Sequence, residues 1–547
     1  MVVVRVGKSD LESMSGVKRD KIEQFFDVVG IEIKREDDEN WDLELYPDRP
    51  DLYSIFGLSR SLKTYYFKEK RFYKVLDSNF KLNVDSSVKD VRPYIGGAVV
   101  KSIELNDSLI TYIMDMQEKL HLSIGRDRKK IAIGIHDLDR VRPPFKYMAV
   151  GGSSISFVPL GMYSPMTPEE ILRNHPKGVE YGHLLSHSSL YPIIIDSDGN
   201  VLSMPPIING TLTQIREDTK NIFIDVTGND LFTVINAVNL ISSNLAELGG
   251  YLYRVLIDYG DYSLFLPDLG RERIYVSKRE LKEMVGEDIN ANDVKNSLIS
   301  MGYTVSRSGN GFNVGIPPYR LDIMHPVDVI EDIIKSYGYG NLRLSLPNKF
   351  SMGSEAYSEI IKERLRRIMV GLGYIEVVSL TFTSPERNFK RFGIDEIYSP
   401  RITNPVVEDQ TIYRTWLIPM LMETLENNRH RSLPQRIFEV GRVYRNGEGL
   451  DLGALSEESD ASFTKVKGTV EKIINSLGQR LEIEEKNLPF LIQGRQSSII
   501  LNGKEVGFFG EVHPSIIEKY NLGNPITAFE IYLDVIYPDI LNEKLKF

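Results

Sequence analysis

The chain has 547 residues, 42% of them hydrophobic and 26% charged, with a net charge of −10 and no cysteine. That length predicts roughly three to four domains, and the lack of cysteine excludes disulfides, thiolate nucleophiles and cysteine zinc sites. A pI of 5.5 excludes a surface that attracts nucleic acid everywhere, while leaving room for local basic faces.

Residues 1–80 read as a small α/β module. The opening valines turn charged within a few residues, which predicts a strand and no signal peptide. With no apolar run near the ~18 residues of a membrane helix, the expected location is cytoplasmic. Asp20 to Val29 has helical apolar spacing and stops at Gly30. Ile31–Ile33 and Leu43–Leu45 alternate as strands do, and Pro50 to Tyr66 reads as helix.

Residues 85–265 read as a larger mixed domain. Ile131–Ile135 and Tyr191–Ile195 have the composition of buried strands. Thr167-Pro168-Glu169-Glu170 predicts a capped helix start, and Asp196 to Asn200 a tight hairpin turn. Ile222 to Gly228 is an expected strand, and Phe232 to Leu248 an expected amphipathic helix. Residues 268–343 form a second small module. Residues 350–547 read as an antiparallel sheet with helices: a helix from Glu355 to Leu372, a strand from Ile375 to Phe382, and strands at Ile437–Tyr444 and Ala528–Val535. The expected fold class is α+β and multidomain.

The two small modules are diverged copies. Lys8-Ser9-Asp10-Leu11-Glu12-Ser13-Met14 answers to Lys278-Arg279-Glu280-Leu281-Lys282-Glu283-Met284. Pro47-Asp48-Arg49-Pro50-Asp51-Leu52 answers to Pro318-Tyr319-Arg320-Leu321-Asp322-Ile323, with one offset of about 271 residues throughout. Where the first copy has Gly57, Arg60 and Ser61, the second has Asp328, Glu331 and Asp332. On a helix from Val327 to Tyr337 these three acids share a face, and Asp322 can fold back toward them. Like charges so close call for a cation. An all-oxygen set suits a hard ion, Mg²⁺ or Ca²⁺. The plainer alternative is an acidic helix start favoured by the helix dipole. His325, beside a proline in the same segment, is expected to be structural.

Nucleotide-binding signatures are poor. Gly371-Leu372-Gly373 lacks the third glycine of a dinucleotide loop, and Gly7-Lys8-Ser9 lacks the upstream glycine of a P-loop, so both read as turns. No nucleophile elbow or paired-histidine metal motif occurs. The stretch Leu202 to Gly210 is a proline-braced turn that brings Ser203 and Asn209 into one loop. Asp225 and Thr227 end a buried strand on one face. These four could line a small polar pocket, or could cap turns. The basic runs Arg126, Arg128, Lys129, Lys130, Arg140, Arg142, Lys146 and Arg364, Arg366, Arg367 read first as solvated faces.

Over nearly its whole length the chain resembles the β subunits of phenylalanyl-tRNA synthetase, in their archaeal and eukaryotic-cytosolic form. Asp48-Arg49-Pro50-Asp51 followed by Gly57-Leu58-Ser59-Arg60 resembles the family's N-terminal element. Pro318 to Ile323 with the four acids resembles its metal-bearing module, although the family usually has Glu where Asp332 stands. Asn404 to Gln410, Arg414 to Leu417, Asn427 to Arg431 and Phe438 to Tyr444 resemble its last domain. The resemblance implies a winged-helix-like duplicated module, an editing domain, and a degenerate class II synthetase core. That core has no ATP-binding arginine on Phe529 to Leu533. It further implies Mg²⁺ held by Asp322, Asp328, Glu331 and Asp332. It implies an α subunit in an α2β2 heterotetramer, with ATP and tRNA(Phe) as substrates. It implies hydrolysis of tyrosyl-tRNA at a pocket of Ser203, Asn209, Asp225 and Thr227, and α-facing surface on the last domain's first helix and strand. A stand-alone RNA-binding scaffold and a free-standing deacylase are the rival readings.

Overall fold

The valine strand Val2–Gly7 (β1) pairs antiparallel with Asn40–Leu45 (β3), which takes Glu32–Glu36 (β2) on its other edge. Lys8–Ser15 (α1) and Arg19–Val29 (α2) lie between β1 and β2, so Gly7-Lys8 is a strand–helix junction where a turn was expected. The two helices end at Gly16 and Gly30, whose φ of 68° and 75° is the left-handed conformation that glycine adopts without a Cβ clash. Trp41, Leu43 and Leu45 alternate inward along β3 and bury against Leu11, Ile22 and Phe26. Ile55–Phe67 (α3) completes the module, capped by Ser54 on the Gly57 N–H. One helix was expected from Pro50. Instead Pro50–Leu52 is a single 3₁₀ turn, and the extended Ser54 restarts the chain as α3.

The computed structural model describes residues 2–69, 72–346 and 352–541. They divide into two units, Met1–Leu346 and Pro347–Phe547. In the first unit a ten-stranded sheet follows the small module. Its strands are Val75–Val84 (β4), Tyr94–Lys101 (β5), Ile131–Asp137 (β6), Phe145–Gly151 (β7), Leu190–Ile195 (β8), Val201–Met204 (β9), Ile208–Asn209 (β10), Asn221–Gly228 (β11), Tyr251–Asp258 (β12) and Ser263–Leu266 (β13). The spatial order is β10-β9-β8-β7-β4-β12-β5-β11-β6, with β13 on β12. Because β4 pairs with β7 and β12, the expected boundary at residue 80 falls inside a strand of this sheet.

Asp107–Leu122 (α4), Pro168–Asn174 (α5), Pro176–Tyr181 (α6) and Leu231–Leu245 (α7) accompany the sheet. The capping box on Thr167 and Glu170 is formed. Over Leu231–Leu248 the chain is apolar enough to cross a bilayer by composition, which the sequence reading did not expect. Here it is a core helix: α7 lies on β5 and β11 and buries Val238, Leu240, Ile241 and Leu245.

The second module repeats the first. Arg273–Ser277 (β14), Lys278–Val285 (α8), Ala291–Ser300 (α9), Thr304–Ser308 (β15), Gly311–Gly315 (β16) and Pro326–Tyr337 (α10) follow the same element order. The sheet order β14-β16-β15 matches β1-β3-β2. Helix α3 packs on α9, and α10 packs on α2, so each copy gives its last helix to the other's second helix. Such a reciprocal exchange makes the contact a pseudo-two-fold one.

In the second unit a seven-stranded sheet runs, in spatial order, Ile375–Glu376, Gln435–Tyr444, Glu448–Glu457, Ile526–Tyr532, Lys504–Val512, Leu491–Leu501 and Glu482–Glu485. Helices Tyr357–Gly371 and Phe463–Ser476 bury Leu365, Met369, Val470 and Ile473 against Phe438, Leu452 and Phe529. The strand expected from Ile375 to Phe382 survives as two short pieces in different sheets. Between them the Ser379 N–H bonds the Glu439 carboxylate instead of a neighbouring strand. The strand expected to reach Val535 stops at Tyr532, where Leu533–Ile536 turns helical.

Candidate functional site

A cavity of about 150 Å³ lies in the ten-stranded domain, between α4, β6, β11 and the Ser203–Asn209 loop. Ser203, Asn209 and Asp225 line it, three of the four residues singled out in the sequence. Strand register explains how they meet. Asp225 on β11 stands opposite Gly134 on β6, and Ser203 on β9 stands opposite Asn209 on β10. Gly134 is needed there, because a Cβ would collide with Asp225 Oδ2.

Thr227, the fourth, is not among the lining residues. It sits beneath a buried arginine: Arg92 Nε donates to its hydroxyl at 3.0 Å, and Arg92 Nη2 to its carbonyl at 2.8 Å. Its role is to hold β11, and the expectation that it lines the pocket is corrected.

Sequence reasoning missed several wall residues: Gln117, Glu118 and His121 from α4, Arg128 from the loop after it, and Lys177 from α6. His136 supports the wall from behind, with Nε2 2.6 Å from Asp225 Oδ2 and Nδ1 2.8 Å from the Thr213 hydroxyl. Burial pushes the His121 imidazole pKa down, against the pull of Glu118. The neutral ring accepts the Ile133 N–H at Nε2, 2.8 Å away, and so carries its proton on Nδ1. Burial alone would raise the Glu118 carboxyl. The His121 hydrogen bond with the Arg128 and Lys177 charges outweighs it and holds the pKa down to about 2.

Arg128 ties the walls together. Its guanidinium donates to the carbonyls of Pro206 and Ile207 at 3.3 and 2.9 Å and to Glu118 at 2.7 Å. It also stacks 4.4 Å over the Tyr181 ring. Around the cavity Ser203 Oγ and Gln117 Oε1 are buried with no hydrogen-bond partner, while His121 Nδ1 faces Glu118 Oε1 at 3.5 Å. Unpaired buried polar atoms are costly, and two at one cavity mark a place where a polar ligand completes them.

The acid cluster of the second module takes a different form from the one expected. Arg320 occupies its centre. Its guanidinium grips Asp322 through two hydrogen bonds at 2.9 and 2.7 Å and reaches Asp332 at 2.6 Å. The Tyr303 hydroxyl also donates to Asp332 at 2.6 Å. Asp328 caps α10, accepting from the backbone N–H groups of Met324 and His325, while Glu331 pairs with Lys335 at 3.0 Å. His325 accepts the Val327 N–H as part of the same cap, a structural role. Among the described residues no group of acids or histidines is arranged to hold a metal ion. The four acids therefore do not fit Mg²⁺ as one donor set of this chain: both oxygens of Asp322 and Oδ2 of Asp332 are already taken by an internal cation, and Asp328 and Glu331 are engaged elsewhere.

Several members of the basic runs are paired at the surface, whereas Arg128, read with them as solvated, is buried in the cavity wall. Lys130 meets Asp230, Arg140 meets Asp218, Arg142 meets Asp198, and Lys146 meets Asp85. In the second unit Arg366 meets Glu376 and Arg367 meets Glu363. There the strand Ile526–Tyr532 carries Glu530 in the core, accepting the Leu417 and Ile418 N–H groups at a helix start. Asp451 lies on the adjacent strand, one diagonal step away on the same face. Burial, then the Glu530 charge, raises the Asp451 carboxyl well above its usual range. Burial also raises Glu530, against the hydrogen bonds it accepts. Arg445 binds Asp451 and, at 2.6 Å, Asp534.

Comparison with known proteins agrees with this layout. A family model described as the phenylalanyl tRNA synthetase beta chain CLM domain matches residues 345–533. A tRNA synthetase B5 domain matches 274–339, and a B3/4 domain matches 101–242. The phenylalanine–tRNA ligase beta subunit of Methanothrix thermoacetophila is 40% identical over 98% of this chain and 100% of its own length. That of Archaeoglobus fulgidus is 39% identical over 98% of this chain and 99% of its own. The solved N-terminal fragment of the Pyrococcus horikoshii phenylalanyl-tRNA synthetase beta subunit aligns over 62% of this chain and all of the fragment. Its TM-score is 0.59, at 39% identity.

Proposed function

The chain belongs to the phenylalanine–tRNA ligase beta subunits, and from that premise we propose that its cavity hydrolyses tRNA mischarged with tyrosine. The ligase joins phenylalanine to its tRNA, and the synthetic active site lies in the alpha subunit with which this chain works. Stand-alone scaffold and free deacylase readings lose their support with that assignment.

The observation that carries the proposal is the match of size and polarity. A cavity near 150 Å³ is what a single benzene ring fills. Unpaired polar groups of Ser203 and Gln117 stand ready for a hydroxyl on such a ring. Phenylalanine and tyrosine differ by that hydroxyl, which an apolar synthetic pocket rejects only by about 10². A second site built to hydrogen-bond it selects the wrong product. Water then adds to the ester carbonyl, the tetrahedral intermediate collapses, and the terminal ribose oxygen leaves with a proton, giving tyrosine and free tRNA. No protein nucleophile is required. Asp225, Asn209 and the terminal ribose hydroxyl are the groups that position the water.

The second unit serves as support for the alpha subunit, in an assembly we place at two copies of each chain. Strand Ile526–Tyr532 offers no cation to a triphosphate, so ATP is used by the partner. Exposed apolar side chains at Ile360, Val370, Ile375, Val378, Leu380 and Phe382 supply a face for that partner. Magnesium enters no step of this reading.

The test is deacylation of tyrosyl-tRNA(Phe) by the assembled ligase. Asp225→Ala and Asn209→Ala should lower the rate about 10²-fold while phenylalanine charging is unchanged. A wild-type ligase that clears tyrosyl-tRNA no faster than buffer would sink the proposal.

A further inference from the structure

The cavity that takes the amino acid leaves the rest of the substrate outside. At about 150 Å³ it holds one ring, so the terminal ribose and its base must lie on the surface at its mouth. Single-stranded RNA ends are held mainly by stacking bases on aromatic side chains. Among the described residues one aromatic is placed for this.

Tyr163 is fully exposed, at 102% of its reference surface. It sits in the loop between Phe157 and Met166, which pair with each other. Leu160, three residues earlier, lines the cavity, so the Cα of Tyr163 lies within about 11 Å of a wall residue's Cα. The loop is held to the cavity's own wall. The Leu160 N–H donates to the Asn209 carbonyl at 2.9 Å, Pro159 pairs with Gly210, and the Thr211 N–H donates to Val158 at 2.9 Å. His175 Nε2 bonds the Leu160 carbonyl at 3.0 Å, and the Met162 N–H closes a turn onto Pro159 at 3.0 Å. A tethered loop thus presents an unpacked aromatic ring beside a ligand cavity, where burial in the fold gains nothing from it.

We propose that Tyr163 stacks on the unpaired 3′-terminal base of the RNA whose aminoacyl group occupies the cavity. It is a binding residue with no part in bond making. The proposal rests on the deacylation reading above. It commits to an RNA base; contact with the partner subunit is the competing outcome.

The experiment uses the assembled ligase with Tyr163→Ala, Tyr163→Phe and Tyr163→Trp. Tyr163→Ala should raise KM for tyrosyl-tRNA deacylation by about 5- to 100-fold and leave kcat within about twofold, with Phe and Trp close to wild type. A tRNA carrying 2-aminopurine as its terminal base should be quenched by wild type and by Tyr163→Trp, and less by Tyr163→Ala. Because the side chain is wholly exposed, the melting temperature should not move. An unchanged KM and unchanged quenching in Tyr163→Ala, with wild-type deacylation intact, overturns the stacking role alone. So does a loss of subunit assembly with normal KM in the assembled fraction. Absence of wild-type deacylation overturns the underlying reading and this one with it.

Discussion

Arg49 and Arg320 occupy equivalent places in the two repeats and make the same fork. Each guanidinium binds the carboxylate two residues on, Arg49 reaching Asp51 at 2.8 and 2.9 Å and Arg320 reaching Asp322 at 2.9 and 2.7 Å. Beyond the fork the copies invert. In the first, a second arginine joins the acid, Arg60 lying 3.6 Å from Asp51. In the second, a second acid joins the arginine, Asp332 lying 2.6 Å from Arg320. Three positive and three negative groups balance across the pseudo-two-fold contact. Arg60 also stacks 3.7 Å from the Tyr319 ring of the other copy. Of the acids gained by the second copy, Asp332 therefore answers charge already present in the scaffold.

Removing Arg320 should be severe. Arg320→Met leaves Asp322 and Asp332 buried without their cation and should cost about 3–5 kcal/mol in urea unfolding. Adding Asp332→Asn to that variant should recover part of the loss, since the two sites share one interaction. For the full-length chain without its partner, magnesium or a chelator should leave the unfolding midpoint unchanged. A midpoint that rises with magnesium, and stops rising in Glu331→Gln, would restore the ion to these acids.

The two units should respond to pH with opposite sign. Burial works to raise the carboxyls of Asp51 and Asp332, but the arginines around them outweigh it and hold both below their usual value. Their stabilisation is present above the ordinary carboxyl range and is lost as pH falls through the lowered values. Asp451 and Glu530 are raised, so their contribution is full in acid and is lost as pH rises through the raised values. The chain has two tryptophans, Trp41 in the first unit and Trp416 in the second. Fluorescence of Trp416→Phe and Trp41→Phe variants therefore reads each unit alone. From pH 5 to 8, about the span in which carboxyls of ordinary pKa are already ionised, the Trp41 midpoint should stay level while the Trp416 midpoint falls. Glu530→Gln should flatten the second curve.

The sequence showed the repeat, most helices and the strand that carries Asp225, because register and periodicity are local signals. It hid what depends on contact between separate elements. Gln117 and His121 join the cavity because α4 lies against β6, where both bond Ile133, and His136 reaches Asp225 only because β11 pairs with β6. Gly134, a glycine inside an apolar strand, was the available signal of a close approach. The acids of the second module were read without the arginine two residues before Asp322, although Arg49 repeats that spacing in the first copy. Thr227 shares a face with Asp225, and alternation alone could not show that Arg92 covers it.

That separation gives a contrast within one strand. Thr227→Val removes an acceptor for the buried Arg92 and should lower stability by about 1–3 kcal/mol, leaving tyrosyl-tRNA deacylation near wild type at permissive temperature. Gly134→Ala pushes a methyl into Asp225 and should abolish deacylation. Equal loss of activity in both variants, measured on folded protein, would return Thr227 to the site.

Arg128 should prove the keystone of the cavity wall. Arg126, Asp127 and Arg128 all hold left-handed backbone, with φ of 48°, 56° and 62°. Each such residue costs on the order of 1 kcal/mol or more. The turn persists because the guanidinium binds two carbonyls of the Pro205–Asn209 loop and the Glu118 carboxylate at once. Lysine has the charge without the planar fork and cannot make all three bonds. Arg128→Lys should therefore loosen the loop that carries Asn209 and lower deacylation kcat by about tenfold, since reactions of this kind tolerate little misplacement. Backbone hydrogen exchange should quicken at residues 203–210. Phenylalanine charging, performed in the alpha subunit, should be untouched. A variant with faster exchange but wild-type kcat would show that the loop's position does not matter to hydrolysis, and would move the chemistry to the α4 and β11 side of the cavity.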